Sequence, residues 1–298
     1  MRALLLGLLG VIGFSGSLPA TRVAVEELDA TFVGIGRAVV AGLLAAALLA
    51  LTHQAPPQRD QLSRLALVSL GVVVGFPLFT AFALRALSSA HGAVIVGLLP
   101  AATAVMAVVR AGERPSRGFW LASGVGLVAV LVFAGAQGAG GRPQAADGLV
   151  LIAVALGALS YAEGGALARE LGGWQTICWA LVLSLPVTAP PAVLAALGGD
   201  LVGGTAAWAG FAYVALISMF LGFFAWYAAL ALGGVAKIGQ VQLAQPLLTL
   251  AVSAALLGER VAPEMVAAAL VVLACVAATQ RTRVNSPPVR VGRAATPV

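Results

Sequence analysis

The stretch GLLPAATAVMAVVRAGER, residues 97–114, returns 146 positions later as LAQPLLTLAVSAALLGER, residues 243–260. The two stretches share a proline (Pro100 and Pro246), a threonine (Thr103 and Thr249) and a closing Gly-Glu-Arg triplet. Alanine and leucine matches mean little in a chain so rich in both, but this spacing is hard to obtain by chance. Because the shift is close to half the chain length, the sequence predicts two related halves.

The composition indicates a membrane protein. Hydrophobic residues make up 61% of the 298 residues and charged residues only 9%, whereas an average soluble domain is about 25% charged. A soluble fold cannot cover its surface with so few charges, which argues against a cytosolic enzyme, a nucleic-acid binder and a disordered protein. The length accommodates about ten membrane helices of roughly 20 residues each.

Apolar runs long enough to span a bilayer recur along the whole chain. In the bilayer core every backbone amide must pair within its own segment, so these runs are expected to be helices. The sequence therefore predicts an all-α integral membrane protein with ten transmembrane helices. The predicted spans are 4–21, 30–51, 64–85, 91–109, 118–137, 148–168, 174–196, 208–230, 237–257 and 263–280.

Five spans in each half have a consequence for topology. Because the first half has an odd number of spans, the second half enters the membrane in the opposite orientation. The sequence thus predicts two inverted five-helix repeats, at residues 1–139 and 147–280. A disordered basic cytoplasmic tail at 281–298 is predicted to follow them. Inverted repeats that meet at the membrane midplane are the architecture of alternating-access transporters. A duplicated bundle without a transport role is the alternative.

The basic residues predict the orientation. With the N-terminus inside, twelve Lys and Arg residues fall on the cytoplasmic side, and only Arg22, Arg85, Arg142 and Arg260 fall outside. Basic residues are enriched in cytoplasmic loops. We therefore expect a multi-pass protein of a bacterial-type plasma membrane with both termini in the cytoplasm.

The chain resembles the EamA family of the drug/metabolite transporter superfamily. The resemblance rests on Gly97–Thr103 with Gly112–Arg114, on the matching Leu243–Thr249 with Gly258–Arg260, and on Phe14–Arg22, which is similar to the family's first helix. It implies a central cavity lined by helices 1, 3, 4, 6, 8 and 9, with helices 5 and 10 peripheral. It also implies export of metabolites, amino acids or toxic compounds by a secondary mechanism.

Pro100 and Pro246 lie in the middle of the fourth and ninth predicted helices. A proline there removes one helical hydrogen bond and clashes with the preceding turn. The carbonyl that is freed can face a cavity. Both prolines are therefore candidate hinges for alternating access, or else static kinks that shape the packing.

Four polar side chains are candidates for the substrate cavity. Gln242, Gln245 and Thr249 are spaced i, i+3, i+7 and would share one face of helix 9. Polar groups at membrane depth need hydrogen-bond partners, so this stripe faces either the cavity or a neighbouring helix. Ser17 in helix 1 is the fourth candidate, since the resemblance places that helix at the cavity.

Aromatic side chains in helices 8 and 3 could line a pocket for an apolar or aromatic substrate. The residues are Phe223, Trp226 and Tyr227 in helix 8, and Phe76 and Phe79 beside Thr80 in helix 3. Ordinary packing or an interfacial aromatic belt is the alternative. The belt is favoured for Trp226 and Tyr227, because both lie near the predicted cytoplasmic end.

Arg37 lies about seven residues into the second helix, or roughly 10 Å below the outer surface. Its long side chain could snorkel outward or pair with Glu26, Glu27 or Asp29. The other interpretation is that it binds a substrate carboxylate.

Glu163 and Tyr161 lie near the cytoplasmic end of helix 6. An intramembrane carboxylate can accept a coupling proton or bind an amine. Glu163 could instead reach the interface beside Arg169. Tyr161 is a cavity candidate of the same kind.

The sequence is most consistent with a secondary transporter that exports small organic molecules. Motifs typical of zinc hydrolases, P-loop ATPases and serine hydrolases are missing, so we expect no enzyme activity, no cofactor and no metal site. The expected partners are a small-molecule substrate and the lipid bilayer but no nucleic acid, and a homodimer is left open. A lipid-carrier flippase or membrane enzyme, and a scaffold without transport activity, are the alternatives.

Overall fold

The structure, a computed structural model, describes residues 1–136, 144–198, 201–257 and 263–285. Nearly all of these residues are helical. In chain order the helical segments are α1 (Arg2–Glu27), α2 (Phe32–Leu51), α3 (Arg59–Ala83), α4 (residues 89–109), α5 (Arg117–Ala136), α6 (Ala145–Leu171), α7 (Gly173–Gly198), α8 (Thr205–Gly233), α9 (residues 235–257) and α10 (Pro263–Arg281).

Seven of these segments, α1 to α4 and α6 to α8, are long and apolar enough to cross a membrane. The prediction of a helical, multi-pass membrane protein is confirmed. That α5, α9 and α10 also cross, which would make ten spans, stays a prediction.

Most segments consist of more than one helical part. Three parts are π-helical: Phe32–Gly36, Ser69–Gly75 and Tyr213–Leu221. The last two nearly coincide when the chain is shifted by 146 residues. The parts are Arg2–Ser15 and Ser17–Glu27 in α1, Phe32–Gly36 and Arg37–Leu51 in α2, Arg59–Val68, Ser69–Gly75 and Phe76–Ala83 in α3, Ser89–Val96 and Leu99–Val109 in α4, Thr205–Ala212, Tyr213–Leu221 and Gly222–Gly233 in α8, and Val235–Gly239, Gln240–Ala244 and Gln245–Leu257 in α9.

The packing follows the repeat. Each of the helices α1 to α5 has its repeat equivalent five helices later in the chain. In the principal contacts between the halves, the repeat equivalents of two packed helices also pack on each other. Segment α1 packs on α8, and its equivalent α6 packs on α3. Segments α2, α4 and α5 pack on their own equivalents α7, α9 and α10. These helix contacts between the two halves are therefore preserved when each helix is exchanged for its repeat equivalent.

Both candidate hinge prolines lie beside a break in a helix. Pro100 is the second residue of Leu99–Val109, after the break that follows Val96. Pro246 is the second residue of Gln245–Leu257, after a 3₁₀ stretch. Both interpretations of these prolines, as hinges or as static kinks, stay predictions. In the first turn of a helix the missing N–H of proline would have no helical partner anyway.

A short sheet joins the end of α4 to the end of α10. Arg114–Pro115 (β1) pairs antiparallel with Val284–Asn285 (β2), with Arg114 opposite Asn285. The backbone N–H of Ser116 also donates to the carbonyl of Arg283, at 3.1 Å. The predicted disorder from residue 281 is therefore wrong for residues 281–285, while residues 286–298 lie outside the described residues.

Segments α3 and α6 approach each other at the π-helical part of α3. The Ser160 hydroxyl of α6 donates to the carbonyl of Leu67, at 3.1 Å. A methyl group on Gly71 would overlap both this hydroxyl and the carbonyl oxygen of Leu156. Only glycine at position 71 allows the two backbones to lie this close.

We therefore expect Gly71→Ala to separate α3 from α6 and to destabilise the protein by about 3 kcal/mol, as overpacking a tight interface does. Gly124→Ala is the matched control, because a methyl group there meets nothing within 4 Å. Thermal unfolding in detergent measures both variants. Equal melting temperatures would contradict the close approach at Gly71.

Candidate functional site

A small cavity, about 30 Å³ in volume, lies between residues of the two halves. All six helices that the resemblance implies contribute to it, and α2 contributes as well. The lining residues are Phe14, Ser17, Leu18 and Thr21 of α1, Arg37 of α2, Val72, Phe76 and Thr80 of α3, Leu99 of α4, Tyr161 of α6, Ser218, Met219 and Phe223 of α8, and Gln245 of α9.

Four of the fourteen described lining residues form two pairs that the internal repeat relates. Leu99 and Gln245 are 146 positions apart and both line the cavity, and the same holds for Val72 and Ser218. At these two pairs of positions, both halves therefore line the same cavity. The side chains differ in polarity, because one member of each pair is apolar and the other is polar. The cavity is therefore formed jointly by the two halves.

One hydrogen bond crosses the cavity wall from half to half. The hydroxyl groups of Ser17 and Ser218 lie 2.7 Å apart. The Thr80 hydroxyl instead donates to the carbonyl of Phe76 in its own helix, at 2.7 Å. Ser17 therefore lines the cavity, and it also links α1 to α8.

The polar residues Gln242, Gln245 and Thr249 of α9 do not share one role: one lines the cavity and the others bond to neighbouring side chains or helices. Gln245 lines the cavity. Gln242 lies in the 3₁₀ part, and its amide donates to the Tyr161 hydroxyl at 3.4 Å and to Oε1 of Gln245 at 3.3 Å. The Thr249 hydroxyl donates to the carbonyl of Ser15, at 2.9 Å, and so holds α9 to α1. The i, i+3, i+7 spacing assumes one continuous α-helix, which α9 is not.

Trp226 and Tyr227 lie behind the cavity wall. Both side chains are 0% exposed, so the interfacial belt considered for them is wrong. Trp226 packs on Tyr161 and Phe14, with ring centroids 5.4 and 6.0 Å apart. The Tyr227 hydroxyl lies 3.4 Å from the carbonyl oxygen of Ser160. Both residues support the lining without belonging to it.

The aromatic lining itself comes from Phe14, Phe76 and Phe223. Phe14 and Phe223 contact each other across α1 and α8, with centroids 4.9 Å apart. Phe79 is half-buried and is not part of the lining. The cavity therefore has an aromatic wall, and of the five aromatic residues considered, Phe76 and Phe223 belong to the described lining, whereas Phe79, Trp226 and Tyr227 do not.

Glu163 does not line the cavity. Its carboxylate accepts from Nε of Arg64 at 2.5 Å and from Nη2 of Arg110 at 2.9 Å. Arg64 also pairs with Glu170, at 2.7 Å. These ion pairs hold α3 and α4 of the first half to α6 of the second half, at the end of the bundle predicted to be cytoplasmic.

Glu113 extends this layer of ion pairs to α9. Its side chain is 0% exposed and accepts from the backbone N–H groups of Val235 and Ala236, each at 2.8 Å. It also pairs with Arg169 of α6, at 3.0 Å. A carboxylate at a helix N-terminus is favourably placed. The glutamate of the first Gly-Glu-Arg triplet thus starts a helix in the opposite half.

Arg37 lines the cavity and is only 3% exposed. The expected snorkelling is therefore wrong, and so is the expected pairing with a nearby carboxylate. Those carboxylates have other partners: Glu26 pairs with Arg22, Glu27 accepts from the N–H of Gly204, and Asp29 accepts from the N–H of Phe32. Among the described residues, Nε of Arg37 has no hydrogen-bond partner.

Sequence reasoning missed Ser218, Leu99 and Thr21. A signal was present for Leu99, which is the repeat equivalent of the candidate Gln245, but not for Ser218, whose equivalent Val72 was no candidate either. Comparing the two halves position by position would have proposed Leu99 from Gln245. Thr21 carries no such signal, since nothing in the sequence distinguishes it from other small polar residues near a helix end.

Comparison with known proteins gives a family match over both halves. The model of the EamA-like transporter family matches residues 1–135 and again residues 144–279. The chain is 46% identical over 275 residues to the uncharacterized transporter YdeK of Bacillus subtilis (strain 168), a match that covers 92% of this chain and 96% of that protein.

The fold also has a counterpart among solved structures. A crystal structure of a protein that is 16% identical superposes with a TM-score of 0.70, over 94% of this chain and 98% of that one. At this identity the likeness concerns the fold alone.

The ion-pair layer leads to a stability prediction. We expect Glu113→Ala to lower the free energy of unfolding by about 3 kcal/mol, because it leaves a buried helix start and Arg169 without their partner. Glu26→Ala is the control, since Glu26 makes only an exposed pair, and it should cost less than about 0.5 kcal/mol. Denaturant titration in detergent micelles measures both, and similar losses would refute the role of Glu113.

Proposed function

The chain belongs to the EamA-like transporter family, and on this basis we propose that it is a secondary transporter of small organic molecules that works by alternating access. Ten spans in two inverted repeats, with both termini in the cytoplasm of a bacterial-type cell, are part of this proposal. So are location in the plasma membrane and transport in the direction of export. The curated relative supports transport, but its name specifies no substrate.

The observation that carries the proposal is the cavity between the halves. Repeat-equivalent residues, Leu99 with Gln245 and Val72 with Ser218, face the same space. If the two halves exchange conformations, such a cavity closes toward one side of the membrane and opens toward the other. A cavity formed within one half would lack this property.

The broken helices supply places at which the bundle can bend. Segments α4 and α9 pack on each other, and each is interrupted just before its proline. An interruption has already given up helical hydrogen bonds, so a change of angle there disturbs few others. We assign Pro100 and Pro246 to this pair of hinges.

The ion-pair layer is the element that must open on one side. Glu163 is shared by Arg64 and Arg110, and Glu113 joins Arg169 to the start of α9. All of these contacts cross from the first half to the second. A movement that opens the cavity toward this end has to stretch or break them. We therefore assign Glu163 to a gate and not to substrate binding.

The experiment begins with a thermal-stability screen of the purified protein against amino acids, other carboxylates, nucleosides, polyamines and dyes. A ligand that binds only the folded state adds about 2.7 kcal/mol at 100 times its Kd. Each compound that stabilises the protein is then measured as a flux into proteoliposomes. We expect at least one compound both to stabilise the protein and to be transported.

Two glutamine variants locate the binding site in the same assays. Gln245→Ala removes an amide from the cavity lining and should weaken binding at least tenfold, with a matching loss of flux at low substrate concentration. Gln175→Ala removes a half-buried amide that contacts Gln54 outside the cavity. It should change neither ligand binding nor flux. Stabilising compounds that are never transported would overturn the proposed function, and full binding in Gln245→Ala would overturn the site.

A further inference from the structure

We propose that Arg37 binds the carboxylate of the transported molecule, so that the substrates are small organic monoanions with an apolar body. This inference rests on the proposed function and specifies its substrate class. It starts from a buried charged group that has no counter-ion among the described residues.

The guanidinium of Arg37 lacks the partners that a buried charge requires. Among the residues the structure describes, no side chain forms an ion pair or a hydrogen bond with it, and Nε is fully buried without a partner. The described residues of the cavity lining include no aspartate or glutamate. Burying an unpaired charge is costly, and such groups inside membrane proteins mark ligand or ion sites. An anionic ligand is the partner that is missing.

The backbone holds Arg37 toward the cavity. The π-helical part Phe32–Gly36 ends immediately before it. A π turn contains an extra residue and therefore rotates the side chains that follow, and such insertions are frequent at functional sites. Gly34 fixes this stretch against α3, since a methyl group on it would lie only 3.0 Å from the Cα of Leu78. The direction of Arg37 is thus built into the packing of α2 on α3.

The charge of the ligand follows from the charge of the site. Arg37 is the single charged residue of the described lining. A carboxylate matches the planar guanidinium with two parallel hydrogen bonds and neutralises it. A phosphate dianion would leave one negative charge without a partner among mostly apolar side chains. The hydroxyls of Ser17, Thr21 and Tyr161 and the amide of Gln245 are additional polar groups that suit a carboxylate.

The apolar residues of the cavity lining indicate the rest of the ligand. Phe14, Phe76 and Phe223 provide aromatic faces, and Leu99 and Met219 provide aliphatic surface. Pockets of this kind bind an apolar group and fix its orientation through a few polar contacts. A carboxylate attached to a small aromatic or aliphatic group matches the chemistry of both parts of the lining, and its binding requires a wider cavity than the 30 Å³ of this conformation.

The test uses ligands that differ only in the charge of the head group. The probes are phenylacetate and hexanoate, each with its alcohol and its amine counterpart. Thermal unfolding of the purified protein in detergent measures the concentration that gives half of the maximal stabilisation. We expect at least one carboxylate to bind at least tenfold more tightly than its alcohol and its amine. Stabilisation by neither carboxylate, or equal stabilisation by the alcohol or the amine, overturns the inference.

Variants then show whether Arg37 is responsible. Arg37→Met keeps an apolar side chain of similar length and should abolish the preference for the carboxylate, whereas Arg37→Lys should retain part of it. Arg85→Met makes the same change at an exposed position outside the lining and should bind as the unaltered protein does. A carboxylate preference that survives in Arg37→Met overturns the inference. If Arg37→Met does not fold, the comparison of carboxylate, alcohol and amine binding to the unaltered protein tests the inference.

Flux separates this inference from the proposed function. A neutral or cationic compound that is transported equally by the unaltered protein and Arg37→Met would refute the role of Arg37 and leave the transporter intact. A carboxylate that binds through Arg37 but never crosses the membrane would refute transport and leave the binding site intact.

Discussion

A bilayer offers no water to a polar group, so every polar side chain that this chain places among its helices has to find a partner within the protein. Hydrogen bonds between helices supply these partners. The Ser69 hydroxyl donates to the carbonyl of Ala180, and Gln240 bonds both the Ser123 hydroxyl and the carbonyl of Pro100. Each such bond ties one helix to another, and most of them join the two halves.

The exceptions to this constraint are concentrated at the cavity. In the part of the chain that the structure describes, four buried side-chain atoms lack a hydrogen-bond partner: Nε of Arg37, Oγ1 of Thr103, Nε1 of Trp226 and Oε1 of Gln242. Arg37 lines the cavity, and Trp226 and Gln242 both contact the lining residue Tyr161. Of these four atoms only that of Arg37 belongs to a lining residue, so the charged group without a partner is what indicates the binding site.

Much of this fold can be predicted from the sequence, because the signals are local or repeat along the chain. Apolar runs predict the helices, and the recurring Pro, Thr and Gly-Glu-Arg pattern predicts the two halves. Gln245, Ser17 and Tyr161 are at the cavity because polar side chains deep in such helices have few other places to go. The direction of Arg37 is not predictable in this way, because it depends on a π-helical turn that hydrophobic periodicity does not reveal. The partners of Glu163 are distant in sequence, so only the folded chain identifies them.

The central claim is that one cavity between the halves opens alternately to the two sides of the membrane. Ser218→Cys places a small thiol in the lining, in a background in which the native buried cysteines are replaced by Cys178→Ala and Cys275→Ala. A membrane-impermeant thiol reagent is applied to right-side-out and to inside-out vesicles. The account predicts modification from both sides, slowed on both by a stabilising ligand. Modification from one side alone, with and without ligand, would contradict it.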